Sequence, residues 1–374
     1  MKNVERIVIL YPGDTSSERI NQPANYSLSR LLIRLHELDP VPVYFLNWSD
    51  RHEQYGNIEF SHLDWRNVLK VIRRFAFARN TLILTQTPRY VRPALWLRSL
   101  LRASKLIVRL GGVFYGRRHI TSPAFTKEVR RTLAPMRRAD MVISTADGTP
   151  VDAYMQRVGV PRDRYRKWMN GFPVIENAGG YERRNQVTCI SRLSMEKGID
   201  YVIESFASAL PRLQEPHRLV IVGDGPERAN LEALASSLGI ASSVDFVGDS
   251  FDIARHLYSS KLLISGLANN PIMEAIATGT PVVAVELGET EAMYGGYPNV
   301  HVVDYPPGGC GRIDPAYRES LVAETARVIA SVVNDESIFE SPDVRPQLNG
   351  WDERLTMELE LYDSLFDASA APHS

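Results

Sequence analysis

Cysteine is scarce in this chain, with two among 374 residues. Cys189 and Cys310 form at most one bridge, which argues against a disulfide-stabilised secreted fold. The opening residues, MKNVERIVILY, lead directly into a strand pattern and lack the features of a signal peptide. No apolar run approaches the roughly 18–20 residues that a membrane-spanning helix needs. The sequence therefore predicts a cytoplasmic protein that does not cross a bilayer.

Several functional motifs are also missing. The segment after the first strand, YPGDTSSERINQPANYS, lacks the G-x-G-x-x-G fingerprint expected of a dehydrogenase. No compact Lys/Arg tract or nucleic-acid-binding signature is present, so nucleic acid is not an expected partner. No Cys or His pair has metal-ligand spacing, and we expect neither a metal site nor a bound cofactor. The scattered histidines are His36, His52, His62, His119, His217, His256, His301 and His373.

The charge is unevenly distributed, although the formal net charge is only -1. Residues 1–170 contain 29 Lys+Arg and 14 Asp+Glu, whereas residues 171–374 contain 14 and 30. One explanation is attraction between two facing domains, or charges spread over solvated faces. The other is that the basic part meets an anionic partner such as a phospholipid surface.

The order of secondary-structure patterns predicts two α/β domains. Strands that are apolar throughout, such as RIVILY, TLILTQ and KLIVRL, alternate with amphipathic helical segments, a pattern typical of parallel strands buried on both faces. A second series contains VTCIS, HRLVIVG, VDFVG, KLLIS and TPVVAV. A chain of this length is also more than one core normally fills. We predict domains at 1–170 and 187–347, a linker at 171–186, and a final segment at 348–374 with a disordered tail.

Ligands of such sheets bind outside the carboxyl ends of the strands. Arg192 and Lys197 follow VTCIS, ahead of a helix expected to begin at Asp200. Two cations beside a helix N-terminus suit a leaving diphosphate, because each stabilises developing negative charge. The next strand is followed by Asp224, which can cap a helix that ends at Gly239.

The stretch NNPIMEAIATG predicts another helix, with Asn270 as N-cap, Pro271 in its first turn and Gly279 at its end. Glu274 then lies about one turn inside that helix. Its carboxylate can accept two hydrogen bonds from a ribose diol, while the free N–H groups ahead of it point at phosphate.

Four segments, SRLSMEKGIDYVIESFA, RLVIVGDGPERANLEALA, VDFVGD and NNPIMEAIATGTPVVA, resemble in order and spacing the retaining nucleotide-sugar glycosyltransferases of family 4. The resemblance covers about residues 187–291. RKWMNGF and NGWDERLTMELELYDSLF are weaker matches to the end of that family's first domain and to its closing helix, and residues 1–170 resemble it only in architecture. The resemblance implies a GT-B fold, with two Rossmann-like domains facing a cleft and the closing helix crossing back to the first.

The same resemblance implies roles for individual residues. Arg192 and Lys197 would hold the donor diphosphate, Glu274 would bind the ribose of UDP or GDP, and Glu291 would lie near the donor. No metal would be needed, since the two cations supply the charge. The other residues expected at the donor are Gly223, Asp224, Glu227, Phe246, Val247, Gly248, Asn269, Asn270, Pro271 and Ile272. Those expected at the acceptor in the first domain are Gly13, Arg109, Gly111, Gly112, His119 and Asn170.

The chain departs from the family pattern at two places. The family usually has a second acid eight residues before the Glu274 position, and this chain has Gly266 there. In the turn after the fourth strand, where many members carry a histidine, this chain has Arg109, Gly111 and Gly112, and His119 lies farther on in VRLGGVFYGRRH. Retaining front-face transfer tolerates the first loss, because the donor phosphate can itself accept the acceptor proton. Asn269, Asn270 and amides near Ile272 would then orient the sugar.

Two alternatives stay open at this point: a nucleotide-sugar epimerase of the same fold, and a non-catalytic sugar-nucleotide-binding protein. The acceptor would be a glycan precursor, a lipid-linked sugar or a small natural product. In RYVRPALWLRSLLRASKLIVR, Leu97, Leu100 and Leu101 are expected on the packing face of a helix, with Trp96 and several cations around it. The cations are Arg89, Arg92, Arg98, Arg102 and Lys105. They predict weak, salt-sensitive binding of the first domain to an anionic membrane surface.

Overall fold

The computed structural model describes residues 1–11, 26–37, 41–75, 78–101, 103–111, 117–171, 175, 177, 179–250, 252–267, 270–307, 313–339 and 350–367. These residues form two α/β domains, each built on its own sheet. We call them the N-terminal domain, with an eight-stranded sheet, and the C-terminal domain, with a six-stranded sheet.

The strands of the N-terminal domain are β1 (Arg6–Leu10), β2 (Val43–Asn47), β3 (Glu53–Tyr55), β4 (Ile58–His62), β5 (Thr81–Thr85), β6 (Ser104–Leu110), β7 (Met141–Ala146) and β8 (Tyr165–Met169). Its helices are α1 (Tyr26–Glu37), α2 (Trp65–Phe75), α3 (Val91–Leu100), α4 (Arg117–Thr121), α5 (Pro123–Glu128) and α6 (Val151–Val158).

The strands of the C-terminal domain are β9 (Gln186–Ile190), β10 (Arg218–Val222), β11 (Val244–Gly248), β12 (Leu262–Ile264), β13 (Val282–Val285) and β14 (Val300–Val303). Its helices are α7 (Ile199–Ala209), α8 (Arg228–Ser237), α9 (Ile253–Tyr258), α10 (Asn270–Thr278), α11 (Thr290–Tyr294) and α12 (Pro315–Asn334), and the last of the described helices is α13 (Trp351–Ser364).

The first sheet has the order β3-β4-β2-β1-β5-β6-β7-β8 and is parallel except for β3, which pairs antiparallel with β4. Along β1, Ile7 and Ile9 belong to one apolar cluster, whereas Val8 and Leu10 belong to another. Alternate side chains of a strand point to opposite faces, so both faces of this sheet are covered. This arrangement confirms the doubly wound architecture.

The second sheet has the order β11-β10-β9-β12-β13-β14 and is parallel throughout its described pairs. The strand order reverses between β9 and β12, which makes that position the topological switch point of the sheet. Ligands of doubly wound sheets bind in the crevice at such a point, outside the carboxyl ends of the strands. The loops that follow β9 and β12 are therefore the first place to look for a site.

The last helix, α13, packs on the N-terminal domain. Trp351, Leu355 and Leu359 join the same apolar cluster as Ile7 and Ile9 of β1. Backbone N–H groups near the chain start also donate to Asp363 of this helix, at 2.5 Å from Lys2 and 3.0 Å from Asn3. Among the described residues, no helix combines the length and apolarity that a membrane crossing requires.

Candidate functional site

The loops after β9, β10 and β11 meet at the carboxyl end of the second sheet. The N–H of Leu193 donates to the carbonyl of Asp224 (3.0 Å), and the N–H of Gly223 donates to the carbonyl of Gly248 (2.8 Å). Gly223 has a φ of 130°, and a Cβ there would overlap the carbonyl oxygen of Ser191. Only glycine fits this close approach of two backbones. The structure therefore brings together the predicted donor residues of three separate loops.

Arg192 and Lys197 lie in the loop that follows β9. The Arg192 side chain is exposed and that of Lys197 is half-buried. Neither side chain has a hydrogen-bond or ion-pair partner in the part of the chain that the structure describes. Helix α7 begins at Ile199 immediately after Gly198, which has a φ of 64°. Two unpaired cations thus lie beside a helix N-terminus, as the sequence predicted.

Gly266 lies against the turn that carries Lys197. The N–H of Leu267 donates to the carbonyl of Lys197 at 2.8 Å, which joins the loops after β12 and β9. A Cβ at Gly266 would overlap that same carbonyl oxygen. An acidic side chain at this position therefore requires the backbone to move. The close approach of the two loops at the switch point therefore explains why glycine, and not an acid, stands at position 266.

Glu274 is the fifth residue of α10, one turn inside the helix as expected. The side chain is half-buried, and Oε2 is inaccessible to solvent with no hydrogen-bond partner. Burial raises the pKa of Glu274 to about 7, against a smaller lowering by its own backbone N–H. Helix α10 begins at Asn270 itself, one residue earlier than the cap prediction placed it. Asn269 and the Asn270 side chain lie outside the described residues, while Pro271 is half-buried and Ile272 is buried.

The sequence analysis missed Arg228, which organises the β10 and β11 loops. Its guanidinium donates to the carbonyl of Phe246 (2.9 Å), lies 5.9 Å from the centre of that ring, and pairs with Asp224 at 3.3 Å. Helix α8 begins at Arg228, so the prediction of Asp224 as N-cap was wrong. The four-residue spacing from Asp224 is a weak signal that could have indicated the pair.

The other predicted donor residues lie at the same edge with different exposures. Val247 is 47% exposed on β11, which is an edge strand, and Gly248 follows it. Glu227 accepts a hydrogen bond from Asn230 at 3.0 Å. Its side chain also lines a groove of about 370 Å³ between α7, α8 and α12.

Glu291 is exposed on α11, and a second acid holds the start of that helix. The carboxylate of Glu286 accepts from the N–H groups of Thr290 (3.3 Å) and Glu291 (2.8 Å). Helix N-termini favour such acids because the first N–H groups lack partners within the helix. The sequence analysis did not identify Glu286, which stands one residue after β13.

The acceptor predictions in the N-terminal domain need one correction. Arg109 is 7% exposed, and its Nε donates to Oε1 of Glu358 on α13 at 2.5 Å. Its guanidinium binds the last helix and is not accessible to an acceptor, so the prediction of Arg109 as an acceptor residue was wrong. Burying a cation without a counter-charge costs free energy, so a buried arginine at this position requires an internal acidic partner.

The remaining acceptor predictions are placed as follows. His119 is exposed and lies 3.9 Å from Glu128, and Gly111 is exposed at the end of β6. Asn170 is half-buried, with its Oδ1 3.5 Å from the hydroxyl of Thr145. Gly13 and Gly112 lie outside the described residues. In the described ranges, no group of three or more His, Cys, Asp or Glu side chains is arranged to hold a metal ion.

Comparison with solved structures shows the fold. The crystal structure of Anabaena HepE in complex with UDP matches with a TM-score of 0.62, covering 95% of this chain and 100% of that one at 17% identity. The chain has the GT-B fold, as the sequence predicted.

Sequence comparison points to a family through the C-terminal domain. Residues 184–306 match the model of the family described as Glycosyl transferases group 1. An uncharacterized glycosyltransferase of Methanocaldococcus jannaschii is 32% identical over 129 residues, which is 32% of this chain and 32% of that protein. A GDP-mannose-dependent alpha-(1-6)-phosphatidylinositol monomannoside mannosyltransferase of Mycolicibacterium smegmatis is 31% identical over 144 residues, 35% of this chain and 37% of that protein. Each match thus spans about a third of the relative's own length.

Proposed function

We propose that the protein is a retaining glycosyltransferase that moves a sugar from a nucleoside-diphosphate sugar to an acceptor held by the N-terminal domain. The observation that carries the proposal is the convergence of the β9, β10, β11 and β12 loops at the switch point, with unpaired Arg192 and Lys197 in the first of them. The family match covers the segment that contains all these loops. The relatives named above are glycosyltransferases, which favours transfer over epimerisation or binding without catalysis.

In this proposal the protein stabilises a leaving diphosphate. Arg192, Lys197 and the first N–H groups of α7 supply positive potential where negative charge develops. Glu274 accepts hydrogen bonds from the ribose of the nucleotide, which gives its unpartnered Oε2 a partner. The donor base lies against the backbone of residues 246–248. UDP and GDP donors both remain candidates, since HepE was crystallised with UDP and the mycobacterial relative is named for GDP-mannose.

Retention requires no carboxylate nucleophile in this scheme. The donor phosphate accepts the proton of the attacking hydroxyl on the same face that the leaving group departs from. Because Gly266 excludes the acid that usually contacts the transferred sugar, we expect a sugar preference that differs from that of family members with the acid.

The acceptor is proposed to be membrane-proximal or lipid-linked. On α3, Trp96 is 54% exposed and Leu100 is 43% exposed, so the prediction that Leu100 packs inward was wrong. Leu97 and Leu101 are buried, and Arg98 and Lys105 pair with Asp140 at 3.1 Å and 3.8 Å. Arg89, Arg92 and the neighbouring Arg137 are exposed. Arg102 lies outside the described residues. A phosphatidylinositol monomannoside appears in the name of the mycobacterial relative, which supports this acceptor class.

We also propose that catalysis needs no bound metal, since Arg192 and Lys197 supply the charge that a divalent ion gives other transferases. EDTA should leave turnover largely intact. Complete loss of turnover that added Mn²⁺ or Mg²⁺ restores would contradict this expectation.

The experiment that tests the function combines a donor panel with a charge deletion. UDP-, GDP- and dTDP-sugars are screened by thermal shift, where a ligand at a hundred times its dissociation constant should stabilise the fold by about 2.7 kcal/mol. With the donor identified, the Arg192→Ala, Lys197→Ala double variant should lose at least two to three orders of magnitude in turnover. Arg212→Ala is the matched control, because this exposed arginine lies in the turn after α7 and its side chain donates to the carbonyl of Ser208 on that helix. Normal turnover in the folded double variant would remove the diphosphate site from this loop.

A further inference from the structure

The two domains are hydrogen-bonded to each other where the loops after β7 and β13 meet. The carbonyl of Gly148 accepts from the N–H of Glu289 (2.7 Å) and from the hydroxyl of Thr290 (3.4 Å). The N–H of Gly148 in turn lies 2.9 Å from Sδ of Met293. Thr290 is fully buried in this contact. Both the N–H and the carbonyl group of Gly148 in the N-terminal domain thus contact the same segment of the C-terminal domain.

A charged group reinforces the same contact. Glu289 accepts from Nζ of Lys167 on β8 (2.9 Å) and from the N–H of Asp152 in the first turn of α6 (3.1 Å). Lys167 also pairs with Asp152 at 2.6 Å. Burial alone would lower the pKa of Lys167, but hydrogen bonds and charge from Asp152 and Glu289 outweigh it and raise the pKa. Lys167 is therefore charged at neutral pH and holds acids from both domains.

Gly288 sets how closely the two loops approach. Its φ is 135°, and a Cβ on it would lie 2.7 Å from Cδ of Pro150. A larger residue would have to push Pro150 and its loop away from the C-terminal domain. The contact therefore depends on glycine as well as on charge.

The segment that makes these contacts also contains a predicted donor residue. It begins at Glu286, whose carboxylate holds the start of α11, and continues to Glu291, the acid assigned to the donor. We propose that residues 147–152 and Lys167 form a latch on residues 286–293, and that Lys167 and Glu289 are positioning residues for the nucleotide-sugar donor. The N-terminal domain would then complete the donor site of its partner domain. The positioning role rests on the proposed function, whereas the latch itself does not.

The first measurement is hydrogen exchange of the full chain without nucleotide. In Lys167→Met and in Gly288→Ala, amides of residues 286–294 should exchange about tenfold faster than in the wild type. Arg166→Met and Gly296→Ala are the matched controls: Arg166 bonds only backbone carbonyls, and a Cβ at Gly296 meets nothing within 4 Å. Unchanged exchange in both latch variants would overturn the latch, whatever the protein's activity.

The second measurement separates positioning from simple stabilisation. With the donor found by the panel above, Lys167→Met and Gly288→Ala should raise KM for the nucleotide sugar about tenfold and leave kcat within about threefold. Lys167→Arg, which keeps the charge, should restore KM. Faster exchange with an unchanged KM would overturn the positioning role. Absence of any binding of UDP, GDP or their sugars to the wild type would refute the proposed function, and the exchange data would still decide the latch.

Discussion

Glu274 is a half-buried acid with an inaccessible, unpartnered Oε2, and its protonation should govern donor binding. Its pKa is raised to about 7, and a ribose diol needs the ionised form as acceptor, so binding must strengthen as the pH rises. From pH 6 to pH 8 the ionised fraction of such a group grows about tenfold. We expect the dissociation constant of the preferred nucleotide sugar to fall by about that factor, measured by calorimetry.

The matched variant for this measurement is Glu274→Gln. It should bind more weakly at pH 8 and show a flat profile, because the diphosphate diester of a nucleotide sugar does not titrate in this range. A wild-type profile that is equally flat would disconnect Glu274 from the nucleotide.

Gly266 offers a second test at single-residue scale. Gly266→Glu places an acid where the family usually has one, but its Cβ overlaps the carbonyl of Lys197. Overpacking of this kind typically costs about 1–3 kcal/mol, and the displaced turn carries Lys197, so donor affinity should fall as well. Urea unfolding and donor titration measure both effects, with Gly111→Ala as control because a Cβ there has open space. A stable Gly266→Glu variant with faster turnover would contradict this expectation, because it would show that the turn can shift without loss of stability or function.

The sequence analysis assigned Arg192 and Lys197 to the donor because they follow an apolar strand, and ligands bind outside such strand ends. The structure places both in the loop after β9, and it places Glu274 on α10, the helix that follows β12. Arg228 and Glu286 were missed, because their roles depend on which carbonyls and N–H groups a neighbouring loop presents. Arg109 lies near the carboxyl end of β6, yet its partner is 249 positions away in sequence. Local pattern cannot distinguish a cation that awaits a ligand from one with an internal partner.

At the scale of elements, α13 is held by a buried ionic network. Glu358 is fully buried and accepts from Arg109 (2.5 Å) and Arg354 (2.9 Å), with the Tyr362 hydroxyl as a further partner. Burial alone would raise the pKa of Glu358, but the two guanidinium groups outweigh it and lower the pKa. The stabilisation is therefore present at neutral pH and is lost as acid protonates the carboxylate.

Glu358→Gln should destabilise the protein by about 3–5 kcal/mol, because it leaves two buried cations without their counter-charge. Urea unfolding at pH 7 measures the loss, and amides of α13 should lose protection before those of the C-terminal domain. Glu360→Gln, on the exposed side of the same helix, should change stability by less than about 0.5 kcal/mol. Equal stability of the two variants would mean that apolar packing alone retains the helix.

Strands were predictable from the sequence where apolar residues surround them on both faces of the sheet. Strands β1, β5 and β6 are apolar runs in the interior of the sheet, and the sequence analysis identified them as RIVILY, TLILTQ and KLIVRL. The hairpin β3–β4 and the edge strand β8 were not identified. Strand β8 carries half-buried polar residues in the sequence YRKWM, because one of its sides has no neighbouring strand. Edge strands lack the continuous apolar character that marks a strand buried on both faces.

At the scale of the whole molecule, the basic N-terminal domain should bind anionic vesicles reversibly. Each cation near an anionic leaflet contributes about 1 kcal/mol, and screening should abolish binding by roughly 0.5 M salt. Co-sedimentation should show binding to anionic but not to neutral vesicles. Arg92→Glu with Arg137→Glu should weaken it strongly, whereas Arg327→Glu, on α12 of the other domain, should not. Equal behaviour toward both vesicle types would leave attraction between the domains as the explanation of the charge asymmetry.

The pairing of Arg109 with Glu358 also affects how the chain folds during translation. The two residues are 249 positions apart. At about 5–20 residues per second, Arg109 emerges tens of seconds before its partner exists. During that interval the entire C-terminal domain is synthesised and free to fold, while the N-terminal domain still lacks α13. The domain that is translated first is therefore the one whose apolar cluster is completed last.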